Sequence, residues 1–245
     1  MSSMSIEPQG ACCPEFTFAF QPIVDTEARE VISYEALIRG PSNEAAHEIL
    51  GRVQADKLLA FDQRARVKAI GLASRLGVSC NLNLNFLPQS LDSSGESILT
   101  TLRAAKQAHL PVNRIVLELV EGDIIDEPSH FIELINEYRG LGLQVAIDDF
   151  GAGYSGLNLL ADFQPDQVKL DMNLIRGIER DGPRQAIVRA TSQICIELGI
   201  DLIAEGVETD LEYSWLASQG IHLYQGRLFA EPGFESFPNV DYPEI

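Results

Sequence analysis

Eight short apolar runs, most of them closing on a polar residue, limit most strongly what this chain can become. They are FTFAFQPIV (16–24), REVISYEALIR (29–39), VSCNLNLNFL (78–87), RIVLELVE (114–121), LQVAIDDF (143–150), QVKLDM (167–172), DLIAEGVE (201–208) and HLYQGRLF (222–229). The first two are close enough for a hairpin turning at Asp25–Ala28. Segments of helical periodicity or polarity then alternate with strands: Val53–Leu76, Ser97–Ala108, His130–Arg139, Pro183–Leu198 and Asp210–Gln219. Pro183 suits a first helical turn and Gly199 a helix end. About eight strands interleaved with helices in 245 residues predict an α/β barrel rather than an open sheet. The hairpin departs from the all-parallel ideal, because it needs an antiparallel neighbour. Residues 1–245 read as one domain, with 1–14 and 233–245 expected as loosely held ends.

Position carries the functional signal. Gln21, Glu35, Asn85, Glu118, Glu121, Asp148, Asp149, Lys169, Asp171, Glu205, Glu208 and Gln225 all fall toward the C-terminal ends of these runs. In a barrel of parallel strands those ends meet on one rim. Taken singly, several have structural readings. Glu35 suits a solvated edge, Asn81 and Asn83 a hydrogen-bonded core ladder, and Glu118 a core ion pair. Lys169 and Asp171 share a face and could pair, and Glu205 suits a turn carboxylate. The adjacent pair Asp148–Asp149 resists such a reading, because neighbouring strand residues point to opposite faces and like charges in one site repel.

Together, Glu35, Glu118, Asp148, Asp149 and Glu205 would destabilise a common rim unless cations compensate. Hard divalent ions with oxygen ligands are the natural solution, and adjacent aspartates can serve two of them. None of the four histidines falls at a strand end, which argues against zinc. A net charge of −18 argues against a nucleic-acid duplex or an anionic membrane held by long-range attraction. It leaves room for a small anion gripped locally. No apolar run is long enough to span a membrane, and MSSMSIEPQG lacks signal-peptide character. The four cysteines (Cys12, Cys13, Cys80, Cys195) have no metal-knuckle spacing, so reduced thiols in a cytoplasmic protein are expected.

The motifs YEALIRG, NFLP, LELVEGD, IDDFGAGYSGL, VKLD, IAEGVET and YQGRLF follow in this order from about Phe16 to Pro232. In that combination the chain resembles the EAL-domain phosphodiesterases of cyclic di-GMP, in particular the subgroup attached to blue-light sensors. The resemblance implies a modified TIM-like (β/α)8 barrel with one antiparallel strand. It implies two Mg2+ or Mn2+ ions held by Glu35, Asn85, Glu118, Asp148, Asp149 and Glu205. Lys169 would orient or deprotonate the attacking water, with Glu35 and Glu208 in the catalytic set. Gln21, Arg39, Asp171 and Gln225 would serve the substrate, and the product would be linear pGpG. Glu121 would anchor the loop carrying Gly151, Gly153 and Ser155, which in the family couples dimerisation to metal binding. A homodimer and a separate sensor domain or protein are the partners implied. The chain departs from the family pattern at Val120, Ala152 and Gly156, around that loop. A non-catalytic cyclic di-GMP receptor and a hydrolase of another phosphodiester are the alternatives.

Overall fold

The computed structural model describes residues 14–87, 96–123, 128–153 and 156–244. β1 (Thr17–Asp25) and β2 (Glu30–Arg39) form the expected hairpin. Its turn is closed by Asp25, whose Oδ1 accepts from the backbone N–H groups of Glu27 and Ala28 at 2.9 Å each. Asp suits such turns because its short side chain satisfies the backbone two residues on.

Six parallel strands follow: β3 (Asn81–Asn85), β4 (Ile115–Val120), β5 (Gln144–Phe150), β6 (Gln167–Leu170), β7 (Asp201–Ala204) and β8 (Leu223–Tyr224). Strand order β2-β3-β4-β5-β6-β7-β8-β1, with β1 returning to β2, closes the sheet. β1 runs antiparallel to both neighbours. The fold is therefore a (β/α)8 barrel with one reversed strand.

The expected long helices are α2 (Leu58–Arg75), α3 (Glu96–Gln107), α4 (Pro128–Gly140), α7 (Gly182–Leu198) and α8 (Asp210–Ser218), with α1 (Ala46–Leu50), α5 (Gly156–Asp162) and α6 (Met172–Ile175) between them. The last three are too short to show a helical period. In α7, Asp181 caps the start by accepting from Arg184 N–H at 3.1 Å, and Gly199 ends it in the left-handed conformation.

Outward strand residues such as Phe18, Phe20, Leu82, Leu84, Leu117, Leu119, Val145, Ile147, Val168 and Leu170 belong to the main apolar core that the helices cover. A separate cluster of Ile23, Ile203 and Leu223 lies on the inward faces of β1, β7 and β8. The strand interior is otherwise strongly polar, with Ser33, Asn83, Glu118 and Lys169 fully or almost fully buried.

The tail after Pro232 differs from the loosely held end expected. β9 (Gly233–Phe234) pairs antiparallel with β1 at Phe20 and Ala19. β8 is only two residues long and covers β1 at Val24 and Asp25 alone, so β9 takes part of the remaining edge. Phe237 stacks on Tyr34 at 4.1 Å between ring centroids, and the Arg29 guanidinium lies 5.0 Å over the Tyr242 ring. Cys80 and Cys195 are free thiols, and burial pushes both up to about 11. Cys12 and Cys13 lie outside the described residues. Among the described residues, no helix is long and apolar enough to cross a membrane.

Candidate metal centre

Parallel register delivers the strand ends to one place. Lys169, near the end of β6, is fully buried, and its ammonium faces carboxylates from four other strands or their following turns. Nζ lies 2.5 Å from Glu205 Oε1, 2.7 Å from Glu118 Oε1, 3.1 Å from Asp148 Oδ1 and 3.3 Å from Glu35 Oε2. An ammonium has three protons. Glu35, Glu118 and Glu205 take hydrogen bonds from it, and Asp148 Oδ1 is left without one. Glu118 Oε2 is likewise buried with no hydrogen-bond partner. A buried carboxylate oxygen in that state costs on the order of 1–3 kcal/mol. Two such atoms beside one another are what a hard cation would satisfy.

Asp148 and Asp149 reach the same rim through a break in the sheet. The β5–β6 register slips between Ile147 and Phe150, and Asp149 adopts φ +54°, in the left-handed region. A bulge of this kind re-aims a side chain that strand alternation would send to the opposite face. Asp148 then offers an oxygen within 4.8 Å of ligand oxygens from Glu35 and Glu118, and also within 4.8 Å of those from Asp149 and Glu205. Two all-oxygen clusters thus share one aspartate. Asn85 Nδ2 donates to Glu35 Oε1 at 3.4 Å, placing the expected amide ligand beside the first cluster. The donor set fits a hard divalent ion.

The electrostatics carry the mark of excess negative charge. Burial, reinforced by Glu35, pushes Glu118 up to about 8. Burial, then Asp148 and Asp171, pushes Asp149 up to about 6. Burial raises Glu205 well above the carboxylate range. For Lys169 burial alone would lower the pKa, but Asp148, Glu118, Glu205 and Glu35 together outweigh it and hold it well above the lysine range. Lys169 does not number Asp171 among its ion-pair partners. Asp171 instead caps α6, accepting from Asn173 N–H at 2.9 Å.

An open cleft over the rim is lined by Gln21, Glu35, Arg39, Asp149, Glu205, Glu208 and Gln225, among others. Gln225 Nε2 donates to Glu35 Oε2 at 2.6 Å and to Gln21 Oε1 at 3.2 Å, while Gln21 Nε2 donates to the Ala230 carbonyl at 3.2 Å. Gln225 therefore orients Glu35, Gln21 in turn holds Gln225, and both glutamines line the cleft. Arg39 is half-buried, and desolvation lowers its pKa despite Glu35 nearby. Glu208 sits at the cleft edge, where Arg176 Nη1 donates to it at 2.5 Å and lowers its pKa. The sequence reading did not foresee Arg176, because the pairing spans 32 residues.

Glu121 is buried at the end of β4, and its Oε2 accepts from Gly151 N–H at 2.9 Å. A Cβ on Gly153 would come within 2.8 Å of Glu121 Oε1, so glycine is what lets the loop close on this carboxylate. Ser155 lies outside the described residues. Asn83 was read as a core asparagine and has a more particular place. It accepts from Ser33 Oγ, and its Nδ2 donates to Glu118 Oε1 at 2.9 Å.

The EAL domain family model matches residues 11–232. The blue light- and temperature-regulated antirepressor BluF of Escherichia coli is 34% identical over 93% of this chain and 57% of its own length. The cyclic di-GMP phosphodiesterase RocR of Pseudomonas aeruginosa is 35% identical over 66% of this chain and 42% of its own. The chain thus spans about half the length of these curated relatives. A c-di-GMP-bound standalone versatile EAL protein from Vibrio cholerae superposes with TM-score 0.89 at 47% identity, covering 93% of this chain and 96% of that one. A manganese/cy-diGMP complex of Klebsiella pneumoniae BlrP1 superposes with TM-score 0.87 at 38% identity, over 94% of this chain and 59% of that one. The chain belongs to the EAL domain family.

Proposed function

We propose that this EAL-domain chain hydrolyses one phosphodiester of cyclic di-GMP to linear pGpG, with two Mg2+ or Mn2+ ions at the rim. The observation that carries the reading is Asp148, whose carboxylate belongs to both oxygen clusters. Glu35, Asn85, Glu118, Asp148, Asp149 and Glu205 would hold the ions. Bound there, they would neutralise charge developing on the phosphodiester and make a water acidic enough to attack phosphorus.

The chain's own groups do the rest. Arg39, at the cleft wall, offers a planar guanidinium suited to a phosphate, and Gln21 lines the same cleft. Gln225 holds Glu35 in place from the side away from Asn85. Lys169, ringed by the carboxylates of Glu35, Glu118, Asp148 and Glu205, would orient or deprotonate the attacking water. Glu208, engaged by Arg176, shapes the cleft edge. A homodimer in the cytoplasm, coupled through the Glu121-anchored loop to a sensor outside this chain, completes the reading.

The test is chromatography of cyclic di-GMP incubated with the protein and Mg2+ or Mn2+. Linear dinucleotide should accumulate; none at high protein with either metal would sink the proposal. The similarity to BluF, named as an antirepressor, favours one other reading, a receptor that binds cyclic di-GMP without turning it over. Calorimetric binding without product formation would promote that reading.

A further inference from the structure

The geometry points to Arg227 as a specificity-determining residue that reads a guanine base of the bound dinucleotide through its O6 and N7. This rests on the reading that the cleft takes cyclic di-GMP. Among the described residues, Arg39 and Arg227 are the basic side chains lining that cleft. Arg39 serves a phosphate, which leaves Arg227.

The backbone fixes where Arg227 stands. It is exposed in a stretch, 225–230, that is otherwise buried or half-buried. The N–H groups of Phe229 and Ala230 both donate to the Gly226 carbonyl at 3.1 Å, closing a tight turn around it. That turn is bonded to the one carrying Glu208. Val207 N–H donates to the Gln225 carbonyl at 3.2 Å, and Leu228 N–H to the Val207 carbonyl at 3.1 Å. A Cβ on Gly226 would run into the Val207 carbonyl oxygen, so the two turns meet backbone to backbone. Through Gln225, the same segment reaches Glu35 in the carboxylate ring.

The guanidinium itself is held loosely. Nε lies 3.3 Å from Glu231 Oε1 and Nη1 3.6 Å from Glu208 Oε1, and Nη2 pairs with neither. Glu208 has its closer partner in Arg176. Exposed pairs of this kind add little to stability, so a ligand can take an edge of the fork at small cost. The surrounding charges choose the group that does so. Arg176 and Arg227 are balanced by Glu208 and Glu231. A phosphate would set a further negative charge against those two carboxylates, whereas a base edge is neutral. Guanine offers the fork two acceptors, O6 and N7, and arginine on that pair is the commonest specific contact to a base. Adenine would put its N6 amine, a donor, in the place of O6.

Calorimetric titration of the intact chain with cyclic di-GMP and with cyclic di-AMP, in EDTA to prevent turnover, tests this. The two ligands share one ring of sugars and phosphates and differ at the bases. For Arg227→Ala, affinity for cyclic di-GMP is expected to fall about tenfold or more, and that for cyclic di-AMP less than about threefold. Arg227→Lys should behave like Arg227→Ala, because an ammonium keeps the charge but not the fork. An equal fall for both ligands, rescue by lysine, or no change overturns the inference. Where cyclic di-AMP binds too weakly to titrate, the lysine variant decides alone. Failure of the unmodified chain to bind cyclic di-GMP, with or without a divalent ion, would instead overturn the reading of the cleft itself.

Discussion

Among the described residues two basic side chains, Arg66 and Lys169, are buried, and they are housed in opposite ways. Arg66 of α2 is 2% exposed and has one carboxylate partner, Asp62, one helical turn away. Its remaining donors go to neutral hydroxyls, Ser97 Oγ at 2.7 Å and Thr101 Oγ1 at 3.1 Å, and its guanidinium lies 4.5 Å over the Phe86 ring. Charge and hydrogen bonds nearly balance. Lys169 is equally buried but outnumbered four to one, with two carboxylate oxygens beside it unsatisfied. A buried ion balanced within the fold can be a packing element. A buried ion outnumbered by its partners marks a place where the fold has been left incomplete for a ligand.

The comparison can be broken most sharply at Glu35. Glu35→Ala should drop cyclic di-GMP turnover at least about a thousandfold, to background by chromatography, because ion binding and Lys169 placement both depend on it. Thermal melting should show the metal-free variant no less stable than the parent, since one crowded carboxylate is gone. Comparable turnover would remove the site from this rim.

Next in size is Lys169→Met. Turnover is expected to fall about a hundredfold with KM changed less than threefold, as for a group acting in the transition state. The metal-free variant should lose about 3–5 kcal/mol in urea unfolding, and Mg2+ should restore most of it. By contrast, Arg66→Met should cost a similar 3–5 kcal/mol with no rescue by Mg2+ and unchanged kcat in the folded fraction. Rescue of both variants by Mg2+, or of neither, would erase the distinction.

The pH dependence separates the two regions more gently. Glu118 and Asp149 have folded pKa values raised to about 8 and about 6. A group raised on folding stabilises below its unfolded value, and that contribution disappears as pH rises through its folded value. The metal-free protein should therefore lose stability between about pH 4 and pH 8. Divalent ions replace the departing protons, so Mn2+ should raise Tm more at pH 8 than at pH 6. Equal shifts at both values would contradict the carboxylate assignment. The smallest effect is expected at the loop. Gly153→Ala would press a methyl group on Glu121 Oε1 and should cost about 1–2 kcal/mol by thermal melting.

Much of this site was legible before any coordinates. Strand alternation and the place of each polar residue at a run's end predicted which side chains would gather, and the expected rim does gather Glu35, Glu118, Asp148, Lys169 and Glu205. What the sequence did not show shares a cause. The tail has no strand period in EPGFESFPNVDYPEI, so its pairing with β1 left no pattern to read. Glu208 carried no sign of Arg176, and the asparagine repeat of β3 could not say which amide would meet which carboxylate.

Alone, the sequence determined that polar groups would face one way and cluster at one end, because the period of a strand and the direction of a parallel connection are local properties. Only the tertiary structure decided the charge balance. Lys169 and Glu35 are 134 residues apart, and barrel closure alone brings them to 3.3 Å. The Asp148–Asp149 pair is the same case in miniature: their adjacency was plain, but the register slip against β6 that lets both serve one rim exists only once β6 is beside them.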